Sequence, residues 1–151
     1  MLCSIDKAKK IVVPIDFSNF SKIALEEAMR HASNPSNIYV ITINRPPSPV
    51  FLEPKSSDEL VKPTLDKLDE FLGDPKYAEI NRDVRYKYGN PGEAINNYAI
   101  EISADLIVIG SHGRSGLTEI TLGSVAERIV RHAPCPVIVL RGEKFYSQCS
   151  A

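Results

Sequence analysis

At residues 106–113 the chain reads Leu106-Ile107-Val108-Ile109-Gly110-Ser111-His112-Gly113. The first four residues are uncharged and aliphatic, which is typical of a strand buried on both faces of a parallel sheet. Two glycines follow, Gly110 and Gly113, so the strand is expected to end in a loop whose backbone can approach another group closely. This stretch therefore favours an α/β protein with a parallel sheet.

The rest of the chain alternates strand and helix patterns at the spacing of βαβ units. Short apolar runs predict further strands over residues 9–15, 37–43, 83–88 and 136–140, and apolar stripes predict helices beginning near residues 19, 58, 91 and 124. Pro63 leaves two starts open for the second helix, near residue 58 or near Pro63 itself, because proline is tolerated in the first turn. The pattern predicts an α/β fold with a single open, parallel, five-stranded sheet and helices on both faces.

Composition excludes several classes of protein. The 151 residues suit one compact domain, and 18 Lys and Arg balance 19 Asp and Glu, so no overall charge attracts nucleic acid or a membrane surface. The three cysteines form no CxxC pair, which argues against a zinc site and a disulfide framework. No signal peptide and no apolar run of about 18 residues is visible, so we expect a cytoplasmic protein.

The segment from Gly110 to Ser124 is the main candidate for chemistry. It leaves a strand and enters a helix, where glycines and unpaired backbone N–H groups can surround an anion. Hydroxyls such as that of Ser124 can add donors, and Ser124 can also cap the helix. Taken alone, this content is equally typical of a flexible loop with a capping serine.

The spacing of Gly110, Gly113, Gly123 and Ser124 fits the pattern G-x2-G-x9-G-[ST], in which the chain resembles the ATP-binding universal stress proteins. Matching signatures lie at residues 11–18, 89–95, 104–113 and 133–139, so the resemblance covers nearly the whole chain. It implies a Rossmann-like sheet of strand order 3-2-1-4-5 and one domain over residues 1–144. Residues 145–151 are expected to form a loosely ordered tail.

The resemblance also implies a binding site for ATP, with Mg²⁺ or Mn²⁺ held through the phosphates. In the family pattern, adenine and ribose contact the ends of the first, second and fourth strands, and the phosphates follow the glycine-rich segment. The implied base and ribose contacts are Pro14, Ile15, Asp16, Ile43, Ile109 and Gly110, and the implied phosphate contacts are Gly113, Arg114, Gly123, Ser124, Val125 and Ala126. Two alternatives stay open, since Asp16 could serve as a helix-capping carboxylate and Arg114 could be merely solvated.

Other nucleotide-binding and signalling classes fit less well. The glycine-rich segment has no lysine, as a P-loop needs, and the first strand is not followed by G-x-G-x-x-G, as in dinucleotide dehydrogenases. Nor does Lys87-Tyr88-Gly89 offer the phosphorylatable aspartate of a receiver domain. We expect a nucleotide-dependent stress-response or signalling protein with an unidentified protein partner. The alternative is a slow ATP hydrolase or phosphotransfer enzyme, for which His112 is the one candidate base.

The resemblance further implies a homodimer. Family members usually pair through the last strand, which here is Pro136-Val137-Ile138-Val139-Leu140, a short uncharged run that would otherwise be an exposed sheet edge. The proline-rich stretch at residues 44–54 matches no motif.

Overall fold

A computed structural model describes residues 8–46, 57–111 and 122–141 of the chain. The strands are β1 (Ile11–Pro14), β2 (Ile38–Asn44), β3 (Asn81–Tyr86), β4 (Leu106–Gly110) and β5 (Val137–Leu140). The helices are α1 (Asn19–His31), α2 (Ser57–Phe71), α3 (Pro91–Glu101) and α4 (Ser124–His132). Short 3-10 turns at Pro35–Asn37 and Pro75–Tyr77 precede β2 and β3.

The five strands form one sheet in the order β3-β2-β1-β4-β5, and every neighbouring pair is parallel. This confirms the predicted fold class and strand order. β1 lies between β2 and β4, so the direction in which successive strands are added reverses at β1 and β4. In open α/β sheets such a switch point leaves a crevice beyond the carboxyl ends of the two strands.

Helices cover both faces of the sheet. On one face α1 and α2 pack on alternate strand residues, and the buried cluster there includes Val13, Leu25, Val40, Leu68 and Val108. On the other face α3 and α4 cover a second cluster that includes Val12, Ile41, Ile95, Ile107 and Ile129. Because consecutive strand residues point to opposite faces, the central strands are apolar throughout, as the sequence pattern predicted.

Polar residues begin two of the helices. The Ser18 side chain accepts a hydrogen bond from the Ser21 N–H and caps α1, and the Asn90 side chain accepts from the Gly92 N–H and caps α3. Pro91 then occupies the first helical position of α3, where its missing N–H removes no hydrogen bond.

One expectation about element bounds is wrong, and one about the place of a proline in its helix. β3 covers Asn81–Tyr86 instead of residues 83–88, because its pairing with β2 begins at Tyr39 opposite Asn81, whereas the polar–apolar alternation continues to Tyr88. α2 begins at Ser57, next to the earlier of its two predicted starts, but this places Pro63 beyond the first turn, where it was not expected. Burial of Thr64 and Leu68 against the sheet offsets the backbone hydrogen bond that Pro63 cannot make.

Most of the proline-rich stretch, the glycine-rich segment over residues 112–121 and the tail from residue 142 lie outside the described residues. Gly113, Arg114 and His112 belong to that part of the chain. Within the described ranges, no helix is both long and apolar enough to cross a membrane.

Candidate functional site

A cleft of about 610 Å³ opens at the carboxyl edge of the sheet, where β1 and β4 end. Its walls come from the ends of β1, β2 and β4 and from the N-terminal ends of α3 and α4. It brings together every predicted site residue that the structure describes, namely Pro14, Ile15, Asp16, Ile43, Ile109, Gly110, Gly123, Ser124, Val125 and Ala126. The two remaining predicted residues, Gly113 and Arg114, lie outside the described part of the chain.

Asp16 lies in the turn between β1 and α1. Its Oδ1 atom accepts a hydrogen bond of 2.9 Å from the Ser18 N–H, and the Ser18 hydroxyl donates to the same oxygen. Between them, Phe17 adopts a left-handed conformation with φ of 67°, which brings the chain back toward Asp16. Asp16 therefore does not cap α1, as one alternative held; Ser18 does, and the Asp16 carboxylate holds Ser18 in place and also lines the cleft.

Isoleucines give the cleft an apolar wall. Ile15, Ile41 and Ile109 come from the sheet and are almost fully buried, and Ile95 and Ile129 approach from the helices. An apolar wall beside a few polar groups is the usual composition of a small-molecule site.

The hydrogen bonds between β1 and β2 depart from the regular parallel pattern at Ile15. The Ile15 N–H donates to the Ile41 carbonyl at 2.9 Å, as in a regular parallel ladder, but the Ile15 carbonyl accepts from the Thr42 hydroxyl at 3.0 Å. Thr42 is 3% exposed and lines the cleft. The sequence did not point to Thr42, because this contact depends on the register of the two strands.

The N-terminus of α4 forms the opposite wall. Ser124 is the first helical residue and Gly123 is the cap, with no capping hydrogen bond from a side chain in the described residues, so the predicted capping role of Ser124 is wrong. The Gly123 N–H, expected to point toward an anion, donates instead to the Ser111 carbonyl at 2.8 Å. Any anion at this end would therefore meet the N–H groups of the first helical turn, which lack intrahelical partners.

Packing gives a reason for glycine at position 110 in addition to the backbone access that the sequence suggested. A Cβ atom at this position would lie 2.8 Å from the Phe20 Cβ atom and 3.2 Å from the Phe20 carbonyl oxygen. Close packing of α1 against the end of β4 thus excludes a side chain there. Access of a ligand to the backbone is not needed to explain this glycine.

Two cations in the cleft wall were not predicted. Arg45 follows β2 and Lys87 follows β3, and the Lys87 N–H donates to the Asn44 carbonyl at 2.9 Å, so the two residues lie at neighbouring strand ends. The Lys87 ammonium group is 3.4 Å from a Glu93 carboxylate oxygen, and Arg128 approaches the same carboxylate at 3.7 Å. No motif marks these residues, and only the parallel pairing of β2 with β3 brings them to the cleft.

α3 fixes the position of α4 through close polar contacts. The Asn90 side chain donates to the Ser124 carbonyl at 3.2 Å, and the Asn96 side chain donates to the Arg128 carbonyl at 3.3 Å. Between them, a Cβ atom on Gly92 would lie 2.8 Å from the Arg128 Cβ atom. The first turn of α4 is thereby held beside the loop that follows β3.

No cluster of three or more His, Cys, Asp or Glu side chains that could hold a metal ion occurs among the residues described. Of the described residues that line the cleft, Asp16 carries the one carboxylate.

The chain is similar in sequence and fold to several universal stress proteins. A universal stress protein of Methanocaldococcus jannaschii is 36% identical over 142 residues, which cover 90% of this chain and 84% of that protein. The solved UspA of Lactobacillus plantarum has a TM-score of 0.62 at 23% identity, over 88% of this chain and 97% of that one. A universal stress protein solved in complex with cAMP has a TM-score of 0.60 at 25% identity, over 88% and 97% of the two chains.

Residues 7–141 match the profile of the universal stress protein family, which covers the whole sheet, all four helices and the cleft. The chain belongs to the universal stress protein family.

Proposed function

We propose that this protein binds ATP in the cleft between the ends of β1 and β4. The observation that carries the proposal is the position of the cleft at the switch point of the sheet, where open α/β folds bind nucleotides. Residues that are far apart in sequence, including Asp16, Ile43, Ile109 and Ser124, line this one space. A related protein of the same fold, solved with cAMP, supports an adenine nucleotide as the ligand class.

Each part of ATP has a matching wall. The adenine ring packs against Ile15, Ile43 and Ile109, and Asp16 accepts a hydrogen bond from the ribose. The phosphates lie at the first turn of α4, where backbone donors and the helix dipole favour an anion. Gly113 and Arg114 complete the phosphate site, and Mg²⁺ or Mn²⁺ accompanies the phosphate oxygens.

We further propose that the bound nucleotide serves a signalling role in the stress response of the cytoplasm, read by a protein partner. Membership of the universal stress protein family supports this role. Two cleft residues, Ser124 and Gly89, are themselves surface residues, so a partner can contact the region where the nucleotide binds.

Calorimetry with ATP and Mg²⁺ tests the proposal, and Ser124→Asp is the informative variant. A carboxylate at the first position of α4 suits the helix dipole and should leave stability unchanged or slightly higher. The same carboxylate repels phosphate, so we expect ATP affinity to fall by about a hundredfold. Ser124→Ala, which removes one or two hydrogen bonds, should cost about tenfold to a hundredfold.

The outcome that contradicts the proposal is equally specific. If wild-type protein shows no heat of binding at millimolar ATP, or if Ser124→Asp binds ATP as tightly as wild type, the cleft is not the ATP site. Denaturing extraction of purified protein followed by nucleotide chromatography gives an independent test, since a tightly bound nucleotide should co-purify.

A further inference from the structure

Thr42 carries a buried hydroxyl at the point where β1 and β2 separate. In a parallel ladder, successive N–H and C=O groups of one strand point alternately to its two neighbours, so residues that face the same neighbour are two apart. The Ile41 carbonyl faces β1, where it accepts from the Ile15 N–H, and the backbone of Ile43 faces the same side. The Asn44 carbonyl faces the other side, where it accepts from the Lys87 N–H.

Continuation of the β1–β2 ladder would join the Ile43 N–H to the Ile15 carbonyl. That carbonyl instead accepts from the Thr42 hydroxyl at 3.0 Å, and the hydrogen bonds found among residues 8–46, 57–111 and 122–141 include none from Ile43 to Ile15. Because β1 ends at Pro14, the Ile43 backbone then borders the cleft that Ile43 lines.

From this geometry we infer that Thr42 is a positioning residue for nucleobase recognition. Its hydroxyl donates to the Ile15 carbonyl in place of the Ile43 N–H. The Ile43 N–H can then donate to a ring nitrogen of the base. The inference rests on the proposed binding of ATP in the cleft. The Thr42 hydroxyl does not itself donate to the base, since its proton is already donated to the Ile15 carbonyl.

Replacement of Thr42 by valine isolates the hydroxyl. Valine has nearly the same shape but cannot donate, so the buried Ile15 carbonyl loses its partner, which is costly unless another donor replaces it. The Ile43 N–H is the nearest backbone donor in the register of the ladder. We expect it to close onto the Ile15 carbonyl in Thr42→Val, which extends the ladder and withdraws the donor from the base.

Hydrogen exchange without nucleotide tests the structural half of the inference, which is that Thr42 keeps the Ile43 N–H from bonding to the Ile15 carbonyl. The Ile43 amide should exchange rapidly in ligand-free wild-type protein and should become protected in Thr42→Val. Thr42→Ser keeps the hydroxyl and should retain the rapid exchange of the wild type. An Ile43 amide that is already protected in wild type, or that stays rapid in Thr42→Val, would overturn the inference whether or not the protein binds ATP.

The functional half of the inference is that the Ile43 N–H donates to a ring nitrogen of the base. Binding of ATP analogues that each lack one ring nitrogen (1-deaza-, 3-deaza- and 7-deaza-ATP) tests it. One analogue should bind wild type about tenfold more weakly than ATP, the effect expected for one lost hydrogen bond. In Thr42→Val, ATP itself should weaken by about tenfold and that analogue should no longer differ from ATP, whereas Thr42→Ser should behave as wild type.

Two results would overturn this assignment. One is equal binding of all three analogues and ATP to wild type. The other is a Thr42→Val variant that keeps the wild-type penalty for the missing nitrogen, because a merely structural defect weakens every ligand alike. Absence of ATP binding to wild type would instead refute the proposed function, and the exchange measurement would then still decide the structural half.

Discussion

Individual glycines in this chain are required for different structural reasons. Gly110 ends β4 at the floor of the cleft, yet a Cβ atom there would meet Phe20 on α1 at 2.8 Å. Gly89, by contrast, has a φ of 83° and no atom within 4 Å of an added Cβ. One residue is restricted by a neighbouring helix, and the other by its own backbone conformation.

We predict that Gly110→Ala destabilises the protein by about 1–3 kcal/mol, because Phe20 must move to admit the methyl group. Urea unfolding measures this loss. Gly89→Ala is the matched control: it should cost roughly 1 kcal/mol through backbone strain alone, without displacing α1. Equal stability of Gly110→Ala and wild type would show that α1 is not packed as tightly as the distances indicate.

At the scale of elements, α3 is tied to β3 by a charged and aromatic cluster. The Arg85 guanidinium donates to both carboxylate oxygens of Glu101 at 3.1 Å and to Asp83 at 3.0 Å, and it lies 5.3 Å from the centre of the Tyr98 ring. The hydrogen bond from Arg85 lowers the pKa of Glu101. Burial, which disfavours the phenolate, raises the pKa of Tyr98 to about 12.

The raised pKa of Tyr98 predicts a loss of stability in alkali. Since the folded-state pKa lies above the ordinary value of 10.0, the contribution is complete below pH 10 and is lost as the pH rises toward 12. The loss should be on the order of 2 kcal/mol. Urea unfolding between pH 8 and about 11.5 should show a smaller decline in Tyr98→Phe than in wild type.

Tyr88→Phe is the control for that experiment, because the Tyr88 side chain is 55% exposed. It should follow the wild-type pH dependence. A Tyr98→Phe variant that declines in parallel with wild type would mean that the Tyr98 phenol is not shielded from water in the folded protein.

Prediction from sequence succeeded for elements defined by local patterns. The strands with uninterrupted apolar residues, such as β1 and β4, and the helix from Ser124 to His132 lie where periodicity placed them. It failed where tertiary pairing sets the limits, as for β3, whose alternation does not reveal where pairing with β2 begins. Pro63 in α2 is a similar case, because packing outweighs local preference there.

The residues of the candidate site also fall into those that the sequence predicted and those that it did not. Asp16 follows β1, Gly110 ends β4 and Ser124 begins α4, so their positions at the cleft follow from the topology. Thr42, Arg45 and Lys87 reach it only through the register of β2 with its two neighbours, which no local pattern encodes. The hydrogen bond from the Gly123 N–H to the Ser111 carbonyl is likewise a tertiary contact, which the spacing of the glycines does not show.

For the molecule as a whole, we predict slow ATP turnover. Positioned phosphates do not suffice for hydrolysis, because water must also be activated. Of the described cleft residues, Asp16 carries the one carboxylate, and Ser18 donates to it twice. A phosphate-release assay should give well under about one turnover per second, the lower range of ordinary enzymes.

The control for this assay is His112→Ala, which should leave any residual turnover unchanged. His112 lies outside the described residues, so this expectation comes from the sequence. Turnover at enzymatic rates that His112→Ala abolishes would establish an ATPase.

The proposed homodimer can be tested through the outer edge of β5. The Ile107 N–H donates to the Pro136 carbonyl and the Ser111 N–H to the Leu140 carbonyl, so even-numbered residues of this strand face β4. Val137 and Val139 therefore direct their N–H groups away from β4, toward the outer edge of the sheet. Val139→Pro should abolish dimers in sedimentation at micromolar concentration and leave the β4–β5 ladder intact.

Ile138→Pro is the matched variant, because it removes a donor that faces β4. It should lower the stability of the monomer by about 3 kcal/mol or more. Dimers that persist in Val139→Pro would place the subunit contact elsewhere than the β5 edge.

The two edge strands of the sheet, β3 and β5, differ in charge, which affects how many chains can assemble through them. β3 carries Arg82, Asp83 and Arg85, engaged in ion pairs with Asp69, Glu101 and one another, and charges on an edge strand oppose further strand addition. β5 carries no charge between Val137 and Leu140. Were two chains to pair through β5, both outer edges of the joined sheet would be charged β3 strands, so extension of the sheet into fibres would stop at the dimer.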